Sequence, residues 1–142
     1  MTSLLDVNML IALLDAAHVH HARAKAWLMS QPDPVWASCP ITQNGFIRII
    51  SQTAYPGSVS TSQAFSVLGN AASSPRHRFW PDDISLLDSS LIDPNFVHGP
   101  KQVTDAYLLA LAVKHNGRLV ALDRAIPLTA VRGADPRHLV LL

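Results

Sequence analysis

The sequence predicts one α/β domain of three layers, α/β/α, with helices on both faces of a mainly parallel central sheet. Three observations carry that reading. Short apolar runs alternate with longer helical stretches along the chain, the order that builds a parallel sheet. Two of those runs, Leu4-Leu5 and Leu119-Val120-Ala121-Leu122, end directly in aspartate, at Asp6 and Asp123. The stretch from Ala106 to Val113 is apolar on all sides, which for a helix means burial, and Asp105 opens it.

The elements follow in chain order. A first strand near Ser3 to Asp6 runs directly into a helix from about Asn8 to Ala16. His20 to Ser30 has helical spacing and is broken by Gln31-Pro32-Asp33-Pro34. Val35 to Ser38 reads as a short strand stopped by Pro40, and Ile41 to Gln52 as a helix with Phe46, Ile47 and Ile50 on one side. Ser60 to Ala72 is a further helix with Ser60, Thr61 or Ser62 as its N-cap. Arg78 to Trp80 is a third strand, followed by Pro81 and a short helical piece around Ile84 to Leu91. Val103 to His115 is the clearest helix, closed by Asn116-Gly117 as a C-cap. Leu119 to Leu122 and His138 to Leu142 complete the strands.

Composition narrows the class. A chain of 142 residues fits a single domain over 1–142, large enough to bury roughly 70% of its unfolded surface. The formal net charge is +1, so no strongly basic face marks a nucleic-acid binder. Charged residues make up 15%, against roughly 25% in ordinary domains. That low fraction predicts a surface partly covered by a partner or a second copy, as do Trp27, Leu28, Met29 and Trp36 on segments one core would not fully enclose. Cys39 is the sole cysteine, which excludes an internal disulfide and fits a reducing cytosol. The N-terminus has no basic n-region, and Met9 to Leu14 is too short to span a bilayer. A soluble cytoplasmic chain with no membrane partner is expected.

The chemistry lies in the acids. In an open parallel sheet, ligands bind outside the carboxyl ends of the strands, and the crossover helices begin at that same edge. One edge therefore collects Asp6, Asp105 and Asp123. Helix capping is the plainer reading of Asp6 and Asp123 singly. With Thr104 as N-cap, Asp105 lies in the first turn of its helix, where the dipole favours a carboxylate by a few tenths of a kcal/mol. Three such acids on one edge favour a metal site, and hard oxygen ligands suit Mg²⁺ or Mn²⁺.

The segments Leu5-Asp6-Val7-Asn8-Met9-Leu10-Ile11, Thr104-Asp105-Ala106-Tyr107 and Leu122-Asp123-Arg124 resemble the three acidic motifs of PIN-domain ribonucleases. Their order, with Pro40-Ile41-Thr42-Gln43-Asn44-Gly45-Phe46 and Phe79-Trp80-Pro81-Asp82-Asp83, is most similar to VapC toxins of bacterial toxin–antitoxin pairs. The resemblance covers nearly the whole chain. It implies a PIN-like fold and a metal-dependent endoribonuclease that cuts RNA phosphodiesters. It further implies a homodimer and a cognate antitoxin. By the same resemblance Asp6 and Asp105 are the principal metal ligands and Asp123 a further acid. Asn8 would orient the first loop, and Thr104 would cap the helix or touch the phosphate.

One departure matters. The family usually places a glutamate on the helix after the second strand, and this chain contains no glutamate. Gln43 stands there, on the apolar, inward face by its spacing, so the catalytic set of Asp6, Asp105, Asp123 and Gln43 carries one charge fewer. Asp82 or Asp83 would restore it, unless both only start a helix after Pro81. Arg48 shares a face with Asn44 and would meet a phosphate or a surface acid. Gly45 inside a helix costs about 1 kcal/mol against Ala, which points to a close approach by another backbone or a ligand. Arg76-His77-Arg78, Lys101, Arg124 and Arg132 are further phosphate contacts or plain surface, and His18 with His21 a weaker metal pair. Cys39 reads as a small buried residue. Two rival classes remain: a PIN-like module that binds RNA or protein without cutting, and a phosphatase or receiver domain. The latter explains neither Asp6-Val7-Asn8 nor Thr104-Asp105.

Overall fold

Five short strands form one sheet: β1 (Ser3–Leu5), β2 (Trp36–Ser38), β3 (His77–Phe79), β4 (Arg118–Ala121) and β5 (Leu139–Leu141). They come from a computed structural model that describes residues 1–122 and 125–142; Asp123 and Arg124 lie outside the described residues. All four pairings are parallel, in the order β3-β2-β1-β4-β5. The order reverses between β1 and β4. The chain leaves β1 toward β2 and β3, then returns to build β4 and β5 on the other side.

Helices α1 (Val7–Leu14), α2 (His21–Ser30), α3 (Pro40–Ile50), α4 (Thr61–Ala72) and α5 (Val103–Lys114) supply the outer layers. Successive strand residues point to opposite faces, and the packing divides accordingly. Leu4, Ala37, Leu119 and Ala121 pack with the buried length of α5. Leu5, Trp36 and Val120 pack with Met9, Leu10, Leu28, Phe46, Ile50 and Leu68 of α1 to α4. Strands buried on both faces read as continuous apolar runs, hence the unbroken Leu4-Leu5 and Leu119-Leu122 segments. No helix among the described residues is long and apolar enough to cross a membrane.

The boundaries have local causes. Pro40 stops β2 and also begins α3, where its missing N–H costs nothing. Ser60 is the cap of α4: it accepts from the Gln63 N–H at 3.1 Å, and the Gln63 side chain accepts from the Ser60 N–H at 2.9 Å. α5 ends in a Schellman closure, with Gly117 N–H donating to the Ala112 carbonyl at 2.8 Å and Asn116 N–H to that of Val113 at 3.1 Å. The residue that adopts positive φ there is Asn116, at 53°, so the glycine serves another purpose. A Cβ on Gly117 would stand 2.5 Å from Trp80 Cη2 and 2.6 Å from the Thr2 carbonyl oxygen.

Four expectations are corrected. Ile84 to Leu91 forms turns rather than a helical piece. There Ser85 Oγ accepts from Leu87 N–H and Asp88 Oδ1 from Ser90 N–H, local bonds that compete with a helix. Thr104 is not the N-cap of α5: a 3₁₀ turn, Pro100–Gln102, leads into the helix, and Thr104 sits in its first turn beside Asp105. Trp36 and Leu28 belong to the core, whereas Met29 is 63% exposed. The close approach at Gly45 is by a side chain, with Val7 Cγ2 2.6 Å from where a Cβ would stand.

Two glycines then respond oppositely to alanine. Gly117→Ala destabilises the fold by about 1–3 kcal/mol through overpacking against Trp80 and Thr2. Gly69→Ala, in α4 with nothing within 4 Å of its Cβ position, stabilises by roughly 1 kcal/mol through helix propensity. Urea unfolding of both variants measures the two signs.

Candidate active site

Asp6 follows β1, and its N–H donates to the Val120 carbonyl at 3.0 Å, which fixes it at the β1–β4 junction. Its Oδ1 accepts from the Met9 N–H at 2.7 Å, making it the N-cap of α1. The capping reading and the site reading therefore describe one side chain. Asp105 lies in the first turn of α5, and both helix N-termini favour carboxylates. Asp6 is 4% and Asp105 2% exposed, yet both line one cleft of about 280 Å³, together with Asn8, Lys101 and Thr104.

A second lobe shares Val7 and Thr104 with the first and is bounded by Ile41, Asn44, Arg48 and Asp82. The fold thus brings Asp6, Asp105, Asn8, Thr104, Lys101, Arg48 and Asp82 to a single trough. Asp123 lies outside the described residues. Asp83 does not join the trough: it pairs with His115 Nε2 at 3.1 Å and Lys114 Nζ at 3.5 Å on the surface. Burial is the largest single influence and pushes its carboxyl up, but the His115 bond and charge and the Lys114 charge together outweigh it and hold the carboxyl below the usual carboxylate range. Tyr107 packs below the site, and its hydroxyl is pushed up to about 12 by burial and by the nearby Asp82 charge.

Gln43 is half-buried and lines neither lobe. Its Nε2 donates to Ser38 Oγ at 3.0 Å, and Ser38 Oγ lies 2.8 Å from His77 Nε2. Ser38 Oγ accepts from the amide. A hydroxyl can accept twice, so its bond with His77 Nε2 follows the ring's tautomer, and the neutral ring that burial favours can accept there. Burial depresses the His77 pKa, with a smaller push from Arg78, against the opposing backbone bond at Ala72. Sequence reading does not reach Ser38 or this linkage, because 39 residues separate Ser38 from His77. In the His18 and His21 pair one nitrogen of each ring is engaged: His18 Nδ1 accepts from the His20 N–H at 3.0 Å, and His21 Nδ1 bonds the Ala12 carbonyl at 2.9 Å. Arg78 and Arg132 bond backbone carbonyls, and Arg132 also pairs with Asp93.

Among the described residues the donor set of the trough is all oxygen: carboxylates, a hydroxyl and two carboxamides, with no sulfur or imidazole lining it. Such a set fits Mg²⁺ or Mn²⁺ better than a softer ion. Asp6 and Asp105 are the described residues that would hold it.

A model of the PIN domain matches residues 3–131. Ribonuclease VapC44 of Mycobacterium tuberculosis is 55% identical over 142 residues, covering the whole of both chains. Ribonuclease VapC39 of the same organism is 44% identical over 135 residues, 94% of this chain and 96% of its own. Among solved structures, VapBC2 from Rickettsia felis bound to a promoter DNA fragment matches with a TM-score of 0.57 at 15% identity, over 100% of this chain and 98% of that one. VapC20 of M. tuberculosis, a sarcin-ricin loop cleaving toxin, matches with a TM-score of 0.59 at 15% identity, over 82% of this chain and 85% of its own. At that identity the two structures speak for the fold alone.

The Ser38 linkage gives a pH prediction. The depressed His77 pKa contributes stability that is present above the unfolded value near 6.5 and lost as pH falls through the folded value. NMR titration should place the His77 midpoint below 6.5 in the wild type. Gln43→Glu should raise it, since a carboxylate only accepts: Ser38 then turns to residue 43, and Nε2 must donate. An unmoved midpoint in that variant would break the proposed bond direction.

Proposed function

The chain belongs to the PIN-domain family and to its VapC branch, and from that membership we propose that it is a divalent-metal-dependent endoribonuclease, the toxin of a toxin–antitoxin pair. One observation carries the reading: two nearly fully buried aspartates, Asp6 and Asp105, line one open cleft at the point where strand order reverses. Asp6 and Asp105, with Asp123, would hold Mg²⁺ or Mn²⁺. When bound, such an ion supplies Lewis-acid activation of water and neutralises phosphate charge. The chain's own groups do the positioning. Asn8 and Thr104 offer hydrogen bonds to a phosphate beside the acids, while Lys101 and Arg48 offset backbone charge on either side. The short reach of Asp6 and Asp105 keeps their oxygens fixed by strand end and helix turn.

The test is substitution by the isosteric amide. Asp6→Asn and Asp105→Asn should each reduce cleavage of a fluorescent RNA by more than the roughly 10–100-fold that loss of a supporting partner costs. Both should fold: at position 6 Asn caps a helix about as well as Asp, and at position 105 it keeps the side-chain shape while removing a buried charge. Wild-type cleavage in either variant removes the assignment. RNA binding that needs no Mg²⁺, with no cleavage at any Mg²⁺ or Mn²⁺ concentration, would establish the non-cutting module instead.

We further read the protein as a cytoplasmic homodimer inhibited by a cognate antitoxin. The low charged fraction supports this, as do Met29 and Phe65, each 63% exposed. The antitoxin half draws on the 55% identity to Ribonuclease VapC44, and the neighbour solved as VapBC2 adds a parallel in fold. An antitoxin arginine laid over the acidic edge would form charge-assisted bonds to the carboxylates. Metal and antitoxin would then compete. Light scattering at micromolar protein should give a dimer mass, and added antitoxin should suppress Mn²⁺ binding. A monomer at every concentration, or full simultaneous binding, would contradict the respective half of this reading.

A further inference from the structure

Asp82 and Asp83 stand side by side in the loop after β3, and the fold treats them differently. Asp83 is exposed and ion-paired with Lys114 and His115. Asp82 turns inward to the second lobe of the trough, between Asn44 and Arg48 of α3 and Thr104 of α5. Its Oδ1 is buried and has no hydrogen-bond partner among the described residues. A buried carboxylate oxygen without a donor is costly, and the water shell of a cation in the trough would supply one. Cys39, fully buried, and Tyr107 bring their side chains to the same carboxylate, whose charge adds to the burial that pushes both groups up, but Oδ1 stays without a partner.

Gln43 cannot satisfy the same need. It is a neutral amide committed to Ser38, and it lines neither lobe. Thr104 and Val7 line both lobes, so the lobe that Asp82 borders adjoins the cleft that holds Asp6 and Asp105. Mg²⁺ and Mn²⁺ keep several water ligands in such sites.

We propose that Asp82 is a further acidic residue of the cation site, taking the place of the helix acid that Gln43 replaces, and that it accepts hydrogen bonds from the ion's hydration shell across Thr104. This rests on the reading of Asp6 and Asp105 as metal ligands. Asp82 is thus a positioning residue: it sets the affinity and water arrangement of an ion held by others.

The experiment is Mn²⁺ titration by calorimetry on the full chain, with melting temperatures measured in EDTA. Asp82→Asn should weaken Mn²⁺ binding about tenfold or more, the range seen when outer-shell partners are lost. In EDTA the variant should melt at or above the wild type, because an unsatisfied buried charge has gone. Asp83→Asn should bind Mn²⁺ as the wild type does. Asp82→Ser is carried in parallel, in case the asparagine amide misfolds, and must show the same loss. Wild-type affinity in both Asp82 variants, with affinity lost in Asp6→Asn, overturns the role of Asp82 and leaves the metal site standing. Melting below the wild type with unchanged affinity assigns Asp82 to the fold alone and also overturns it. If the wild type binds no Mn²⁺, or Asp6→Asn and Asp105→Asn bind it normally, the metal reading falls and this proposal with it.

Discussion

Everything at this site depends on chain direction in the sheet. Because all strand pairings are parallel, every strand ends at the same edge, and the helices that follow begin there. That edge gathers the positive ends of α1, α3 and α5 around Asp6, Asp82 and Asp105. A helix terminus favours a carboxylate by about 0.3–1 kcal/mol, while burying an ion costs several kcal/mol even after relaxation. Alignment of dipoles therefore biases the edge toward anions without completing their balance. Hydrogen bonds such as Met9 N–H to Asp6 and cationic groups such as Lys101 add to it. A divalent cation fits the same logic, since its charge is opposite and its preferred ligands are the oxygens already gathered there.

Close packing then converts that edge into a defined trough. Val7 opens α1 and tucks its side chain against Gly45 of α3, where any Cβ would collide. This brings α3 near enough for Asn44 and Arg48 to border the cleft that Val7 and Thr104 also line. On the far side, Gly117 lets Trp80 and the Thr2 backbone close over the end of α5. Trp80 immediately precedes Pro81-Asp82, so the same contact anchors the loop that delivers Asp82. Neither glycine adopts positive φ. Both are read correctly as space, not as backbone freedom.

The strand–helix alternation was legible because burial on two faces leaves a simple mark: apolar runs ending in acid. Asp6 and Asp105 were legible for the same reason, each standing at the polar end of an apolar segment. The Ile84 to Leu91 turns were not, since Ser85 and Asp88 compete for the backbone through single side-chain bonds that periodicity does not register. The true start of α5 escaped because Thr104 is a good capping residue in isolation, and only the Pro100–Gln102 turn shows the helix beginning earlier. Gln43 marks the sharpest limit. Spacing puts it on the inward side of α3, but its hydrogen-bond partner comes from β2, and that partner's partner from β3. Such linkages depend on strand register (Ser38 opposite Phe79, Trp36 opposite His77) that no local window contains.

The absence of glutamate gives the arrangement its particular character. Aspartate has two rotatable bonds, so its oxygens follow the backbone closely and a site built from it inherits the rigidity of strand ends and first helical turns. A glutamate at position 43 would bring a charge on a longer, freer stem, and it would also reverse the hydrogen bond to Ser38. The amide avoids both consequences. It leaves Ser38 able to donate to a neutral His77, so the β2–β3 side of the sheet can carry an uncharged chain of polar groups. Among the described residues, the negative charge that lines the trough is thereby confined to Asp82, Asp105 and Asp6. Confinement of that kind concentrates the field on the trough, where a cation or a cationic side chain can reach it. Beside Asp82, Asn44 and Arg48 of α3 border the same lobe, where the arginine offsets the charge of an approaching polyanion.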